Sequence, residues 1–562
     1  LIVRDPVLLG ILLLAAGLRL YGLDHGLPFV YNPDEANIMA RSLSIAQGPD
    51  PGYYLYPSFF FYLLFAVMGV LFVLGRASGR YESVADFQMR FFENPTDFYL
   101  AGRLVGVVAA LGTIVLTYRL VERHFSRTAA RGAALIVAVA YFNVRDAHYL
   151  KHDVPCGLLA VGALWAIDRA IERKTAWAYA LAGVVTGVGF ATHYYLIFLA
   201  PAFAVAHFTA RRFEGFRALV LAGAVSAATF FLLTPFVLLN LGTAIEHMGA
   251  NRRVVVDRSI EGEGAATFLP SFDDYLDFLA TQGLGYGLLV LVFGGFVLMA
   301  RFEARRLAIW GFFPLVFFLF ISYTFFAGRY LNPMLPFMAA AGGFALAFLE
   351  ERVRRGLGYA VAILVSVQPL YRSYHVGRLF DSVDTRTVAR AFVLSEYPMG
   401  GTLALQSYSV PVPQSAESIR AGLTENGALS ELDRQGKYAS LVRIAEAEET
   451  AFDLVFFGAG DEPNRIYVSY EELREDLSPL RRRGVNVVVL RIPPATPPPE
   501  VEAVFRRVRE EGELVQRIAP SPPSADVDTA TTVPYLDNED WPPSASLERK
   551  GPTIEIWSLV SR

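Results

Sequence analysis

Cysteine is all but missing from this 562-residue chain: Cys156 stands alone, so no intramolecular disulfide braces it and a globular part must rest on its own core. Charge is scarce too, at 19% of residues, and nearly balanced at a net −4, which removes the basic surface a nucleic-acid binder needs. There is no Walker lysine pattern and no Gly-x-Gly-x-x-Gly following a strand, so the usual nucleotide cradles are missing. No small-residue cleavage site follows the apolar run Val7–Leu20, which reads as a retained first span, not as a cleaved leader.

What the chain has in quantity is apolar sequence. Hydrophobic residues make up 54% of it, more than the surface of a soluble protein this long can hide. They gather in long runs up to about Tyr371, and beyond that point the composition is that of an ordinary soluble protein. Two regions are expected: a membrane domain over 1–372 and a soluble domain over 373–562.

Arginine sets the expected topology. It recurs in five short loops: Arg119/Arg123/Arg127/Arg131, Arg169/Arg173/Lys174, Arg211/Arg212/Arg217, Arg301/Arg305/Arg306 and Arg352/Arg354/Arg355. Two apolar stretches separate each basic loop from the next, the pattern expected of cytoplasmic loops. The spans read as 7–24, 98–119, 131–147, 154–171, 177–191, 194–208, 216–238, 284–300, 307–326, 333–350 and 356–372. One run, 57–74, breaks the parity. Arg4 puts the N-terminus inside, and the 98–119 span must start outside because it ends in a basic loop. The 57–74 run is therefore expected to lie in the outer interface without crossing. The 373–562 region follows outside, so the chain reads as a multi-pass protein of the cell membrane.

On this topology three polar segments share the outer face: Tyr31–Glu35, His148–Pro155 and Gly328–Pro333. Ionisable groups at a lipid boundary are costly unless paired or hydrated, so they are functional candidates. Each has a plainer reading. Asp34 or Glu35 would equally serve to start a helix. Arg329 would equally anchor a span end by snorkelling. His148 and His152 have the i, i+4 spacing of metal ligands but no clear third partner, so the sequence supports no metal or other cofactor.

In order and sidedness these elements resemble the GT-C glycosyltransferases, nearest the protein O-mannosyltransferase and aminoarabinose-transferase branch. The resemblance covers roughly 1–372 and rests on Asp34-Glu35, Tyr56-Pro57, Arg103, Asp153-Val154-Pro155, the segment Gly187–His193, and Arg329-Tyr330-Leu331-Asn332-Pro333-Met334-Leu335-Pro336. It implies a mainly α polytopic fold of about 11 transmembrane helices plus interfacial helices, followed here by a soluble α/β domain. It also implies inverting transfer of a sugar from a polyprenyl-phosphate donor to an unidentified acceptor. Asp34 is then the expected base, with Glu35 and Asp153 orienting the acceptor or tuning it. Two basic residues common in relatives are replaced here by Tyr56 and Asn37. The carrier phosphate is therefore expected on Lys151, His193 and Arg329, with His152, Tyr330, Tyr56 and Arg103 completing the substrate-binding set.

In the C-terminal region Gly401–Tyr408, Phe452–Gly458, Val485–Ile492 and Thr553–Leu559 read as strands. Tyr470–Arg483 reads as one amphipathic helix, and the Pro-rich stretch 520–543 as a long loop. Two rival functions share the span pattern. A transporter of lipid-linked sugars predicts internal repeats and midplane ion sites, and neither is evident. A non-catalytic scaffold leaves the outer-face carboxylates unexplained.

Overall fold

A computed structural model describes residues 5–257, 269–430, 436–458, 460–492, 497–521 and 547–559. The helices of the first two-thirds are, in order, α1 (Pro6–Leu20), α2 (Pro33–Ser44), α3 (Phe59–Ala77), α4 (Val84–Glu93), α5 (Thr96–His124), α6 (Arg127–Val139), α7 (Tyr141–Asp146), α8 (Asp153–Arg173), α9 (Ala176–Thr192), α10 (Leu199–Arg211) and α11 (Phe216–Leu233). There follow α12 (Phe236–Leu239), α13 (Leu241–Arg252), α14 (Phe272–Phe278), α15 (Tyr286–Phe302), α16 (Ala304–Tyr323), α17 (Leu335–Phe348) and α18 (Leu357–Asp381). Among the described residues six helical stretches are long and apolar enough to cross a membrane: α3, α5, α8, α11, α16 and Gly328–Val353, which contains α17. Three shorter apolar helices, α1, α9 and α15, accompany them. The fold is therefore mainly helical and fits a polytopic membrane protein.

The chain divides into two compact units. One holds Leu1–Leu23, Asp34–Leu71 and Tyr99–Gly377; the other holds Asp24–Pro33, Phe72–Phe98 and Arg378–Arg562.

In the first unit helices approach through small residues. A Cβ on Gly183 would collide with the Ala222 carbonyl of α11, and one on Gly343 with the Ala129 carbonyl of α6. Close backbone approach is how helices associate where lipid is as apolar as they are. The expected 131–147 span is two helices. It breaks at Ala140, whose φ of −58° and ψ of 113° end α6 before α7 begins. The break frees carbonyls, and the buried Arg19 of α1 takes them. Its guanidinium donates to Ala138 at 3.0 Å, to Val137 at 3.2 Å and to the Asn143 amide oxygen at 2.7 Å. Asn143 donates in turn to the Asn332 Oδ1 at 2.8 Å, and Asn332 donates to Asp146 at 2.7 Å and to the Arg329 carbonyl at 2.9 Å. Asp146 also takes Arg145 at 2.7 Å. This chain of buried polar groups pins the 3-10 turn Gly328–Met334 to α7. Of the 57–74 run, residues 59–74 belong to one continuous 19-residue helix, α3.

The second unit carries a doubly wound sheet. Its strands are β1 (Gly401–Gln406), β2 (Phe452–Phe457), β3 (Ile466–Val468), β4 (Val487–Ile492), β5 (Glu513–Ile518) and β6 (Thr553–Ser558), in the order β3-β2-β1-β4-β6-β5. The first four are parallel; β6 runs antiparallel to both β4 and β5. Side chains alternate between two cores. Leu403, Leu405, Val487 and Val489 face Ala389 and Val393 on Thr385–Glu396, while Ala404, Val488 and Leu490 face Val504, Phe505 and Val508 on Pro499–Glu511. All four expected strands are present, each within two residues of its expected ends. The expected helix over 470–483 is two short ones, Tyr470–Leu473 and Ser478–Arg482, because Pro479 and the bond from Ser478 N to Asp476 Oδ1 restart it. The expected loop 520–543 lies, from Pro522 on, outside the described residues.

Within the same unit the arm Asp24–Pro33 is held by the residues after 378. The Arg386 guanidinium lies 3.7 Å from the centre of the Tyr31 ring while pairing with Asp384 at 2.8 Å. The Tyr31 hydroxyl meets Thr387 at 2.7 Å, and Lys550 meets His25 at 3.1 Å.

Asn332→Ala removes three hydrogen bonds from the buried chain at once. Losing them is expected to cost about 2–4 kcal/mol and to lower the melting temperature of detergent-purified protein by several degrees. An unchanged melting temperature would show that the network is dispensable.

Candidate active site

Pro33 opens α2 with two carboxylates in its first turn, and these adjacent residues face opposite ways. Glu35 points inward and is 0% exposed, against an Arg103 that is 1% exposed. The Arg103 fork closes on it with two bonds of 2.8 Å, from Nε and from a terminal nitrogen. Glu35 also accepts the Leu150 N–H at 2.8 Å, and Arg103 donates to the Leu23 carbonyl at 2.7 Å. The bidentate fork and the backbone donor satisfy both charges, which buried ions require.

Asp34 points outward and keeps 38% of its side chain exposed, with Lys151 Nζ 2.9 Å away. Lys151 itself is buried, its ammonium 5.5 Å from the centre of the Tyr149 ring. At the start of α8, Asp153 is also buried, and its Oδ1 has no hydrogen-bond partner among the described residues.

Tyr56, His152 and His193 form an aromatic cluster. The Tyr56 ring lies 4.5 Å from His152 and 5.5 Å from His193, and the two imidazoles are 4.6 Å apart. His193 caps the end of α9 and stacks on Tyr195 at 3.6 Å, while its Nδ1 accepts the Tyr195 N–H at 3.4 Å. Burial pushes His152 down to about 3, with Lys151 and Arg329 acting the same way and Asp34 against them. Burial likewise holds His193 well below its ordinary range. Both imidazoles are neutral near pH 7 and offer hydrogen bonds and apolar faces but no charge. Arg329 is half-buried, 5.3 Å from the centre of the Tyr330 ring, and Tyr330 packs 5.9 Å from Tyr195.

Two further residues join these that the sequence reading had not singled out. Arg41 lies two turns along α2 from Asp34, and its guanidinium is 5.0 Å from the centre of the Tyr53 ring. Tyr53 packs on Tyr56 at 6.1 Å. The i, i+7 spacing of Asp34 and Arg41 was the signal available for it.

Among the described residues the candidate site brings no three metal-ligating side chains together. Both nitrogens of His148 face carbonyls, those of Val144 at 2.8 Å and Tyr21 at 3.0 Å, so the i, i+4 histidines do not act as a pair. Among the described residues His124, Asp168 and Glu172 have metal-like proximity. That group sits at the far end of α5, 21 residues or roughly 30 Å from Arg103, and Arg123 pairs with both of its carboxylates.

The fold has solved counterparts. ArnT from Cupriavidus metallidurans bound to undecaprenyl phosphate superposes with a TM-score of 0.52 at 14% identity, covering 91% of this chain and 95% of that one. Its apo state gives 0.51 at 13%, covering 98% and 96%. The archaeal oligosaccharyltransferase AglB from Archaeoglobus fulgidus, in complex with an inhibitory peptide and a dolichol-phosphate, gives 0.46 at 14%, covering 86% and 69%. The family described as dolichyl-phosphate-mannose-protein mannosyltransferase matches residues 88–238. No curated protein sequence matches. The chain thus shares the fold of the ArnT structures, and over residues 88–238 it is similar to the dolichyl-phosphate-mannose-protein mannosyltransferase family.

Removing one half of the Glu35–Arg103 pair strands the other charge. Arg103→Met is expected to destabilise the purified protein by about 3–5 kcal/mol, and pairing it with Glu35→Leu is expected to recover much of that loss. Thermal unfolding of both variants in detergent checks this. A double variant no more stable than Arg103→Met would mean that packing, not stranded charge, sets the cost.

Proposed function

We propose that this chain transfers a sugar from a polyprenyl-phosphate donor to an acceptor hydroxyl at the extracytoplasmic face. The observation that carries the reading is the divided Asp34-Glu35 pair, one carboxylate locked and its neighbour open beside a buried lysine. The family match over 88–238 supports the class of reaction. The fold shared with ArnT, whose solved form holds undecaprenyl phosphate, supports the type of donor.

In this reading Asp34 accepts the proton of the acceptor hydroxyl as that oxygen bonds to the anomeric carbon. The bond from that carbon to the phosphate oxygen breaks, and its electron pair leaves on the phosphate. Attack and departure take opposite faces, so the anomeric centre inverts. The phosphate is a good leaving group as it stands, and no acid is needed. Lys151, 2.9 Å away, pairs with the Asp34 carboxylate between turnovers. Arg329 takes charge on the departing phosphate, and the neutral His152 and His193 pack with Tyr56 and Tyr330 around the sugar. Glu35 and Arg103 act by holding α2. Asp153, whose Oδ1 has no hydrogen-bond partner among the described residues, orients the acceptor in this reading.

The basic loops favour a topology in which α3 stays at the outer interface. α3, at 19 residues, rises about 28 Å, close to a bilayer core. If it crossed, α5 would run outward and deliver Arg119, Arg123, Arg127 and Arg131 outside, against the arginine bias. On a Cys156→Ser background, Ser78→Cys and Ser395→Cys are both expected to react with a membrane-impermeant thiol reagent applied outside. Labelling of Ser78→Cys from the cytoplasmic side alone would reverse the placement of α3. Protection of Ser395→Cys until permeabilisation would reverse that of the C-terminal region.

Asp34→Asn keeps the size and helix-capping ability of the side chain but cannot accept the proton. With a detergent extract of cell envelope supplying the acceptor, release of polyprenyl phosphate from a panel of radiolabelled polyprenyl-phosphate hexoses and pentoses is expected to fall about a hundredfold or more, with unchanged melting temperature. Near-parental turnover would remove Asp34 from the role.

A further inference from the structure

α2 presents two stripes. Glu35, Ile38, Met39 and Ser42 are buried, and Asp34, Asn37 and Arg41 run along the open side. On that open side Asn37 hydrogen-bonds the Tyr53 hydroxyl, and both Asp34 and Arg41 act electrostatically on that tyrosine. Arg41 is half-buried, yet its one described contact is the Tyr53 ring, and no carboxylate pairs with it among the described residues. The neighbouring cations are differently placed. Arg103 is committed to Glu35, and Lys151 closes on Asp34. A partly desolvated guanidinium offset only by an aromatic face is suited to accept an anion.

Resting on the transferase reading, we infer that Arg41 and Tyr53 form an anion subsite that holds the carrier phosphate opposite the base. The spacing supports this. Seven residues of helix separate Asp34 from Arg41 by about 10 Å. In an inverting transfer a hydrogen bond of about 2.7 Å lies at each end and an attack distance of about 3 Å at the centre, with the bridge to phosphorus between. A base and a phosphate clamp on opposite faces of the anomeric carbon are therefore also about 10 Å apart. Lys151, 2.9 Å from Asp34, stands at the base end of that line. Tyr53 and Tyr56, 6.1 Å apart, extend the subsite toward Arg329, whose charge bears on the Tyr56 hydroxyl.

The test is binding by full-length protein in detergent, followed by native mass spectrometry and titration calorimetry. The probes are a short-chain polyprenyl phosphate, the matching polyprenol and inorganic phosphate. Arg41→Gln is expected to weaken the polyprenyl phosphate about tenfold or more and to leave the polyprenol unchanged. Arg41→Lys, which keeps the charge but loses the fork, should fall between, and Tyr53→Leu serves as a second variant should Arg41→Gln melt early. Polyprenyl-phosphate affinity equal to the parent's in Arg41→Gln and Tyr53→Leu, with Asp34→Asn inactive, would overturn the subsite and leave the transferase reading standing. Equal, Arg41-dependent affinity for inorganic phosphate would overturn the assignment to the carrier. A parent that binds no polyprenyl phosphate would overturn both.

Discussion

The arrangement of this site depends on one buried ion pair. Glu35 and Arg103 together expose almost no surface, and an uncompensated charge at such a place would cost several kcal/mol. The Arg103 fork, the Leu150 N–H and the Leu23 carbonyl meet that demand. In doing so they fix the rotation of α2 about its axis. Once Glu35 is turned inward, helical periodicity alone turns Asp34, Asn37 and Arg41 the other way. The same bond to Leu150 places the residue before Lys151, so the lysine that meets Asp34 is positioned by the anchor that orients Asp34. Charge burial, costly by itself, here sets the geometry of the open charges.

A second economy runs through the apolar core of the same unit. Polar side chains inside a membrane helix are expensive unless satisfied, and here Arg19, Asn143, Asp146 and Asn332 satisfy one another and the carbonyls that the break at Ala140 releases. The final link reaches the Arg329 carbonyl. The backbone of the turn bearing Arg329 and Tyr330 is thereby held from within the protein, and lipid need not support it.

The sequence made the coarse plan readable because its signals are large: apolar runs against charged loops, and alternating strands in a chain that turns polar after Tyr371. The fold class and all four expected strands follow from those signals. The finer departures have local causes. The break at Ala140 is unmarked by proline or glycine, and only the buried Arg19 explains it. The split of 470–483 was marked by Pro479, a signal that helical periodicity outweighed. Within the site, residue type was legible and partnership was not. Asp34, Glu35, Lys151 and Arg103 stand out as costly charges at the ends of apolar runs, but nothing in a linear sequence says that Arg103 closes on Glu35 and Lys151 on Asp34. Arg41 escaped notice because a lone arginine in a polar helix looks like a solvated one.

The grip on the Tyr31 arm bears on how the protein is made. The bond between Tyr31 and Thr387 joins residues 356 apart, and that between His25 and Lys550 joins residues 525 apart. At ribosomal speed the arm emerges roughly twenty to seventy seconds before Thr387 exists to hold it. Asp34 is the next residue after that arm. During synthesis the arm itself therefore hangs unanchored, while Glu35 and Arg103, only 68 residues apart, already have each other. Completion of the polypeptide is thus a condition for closing the arm.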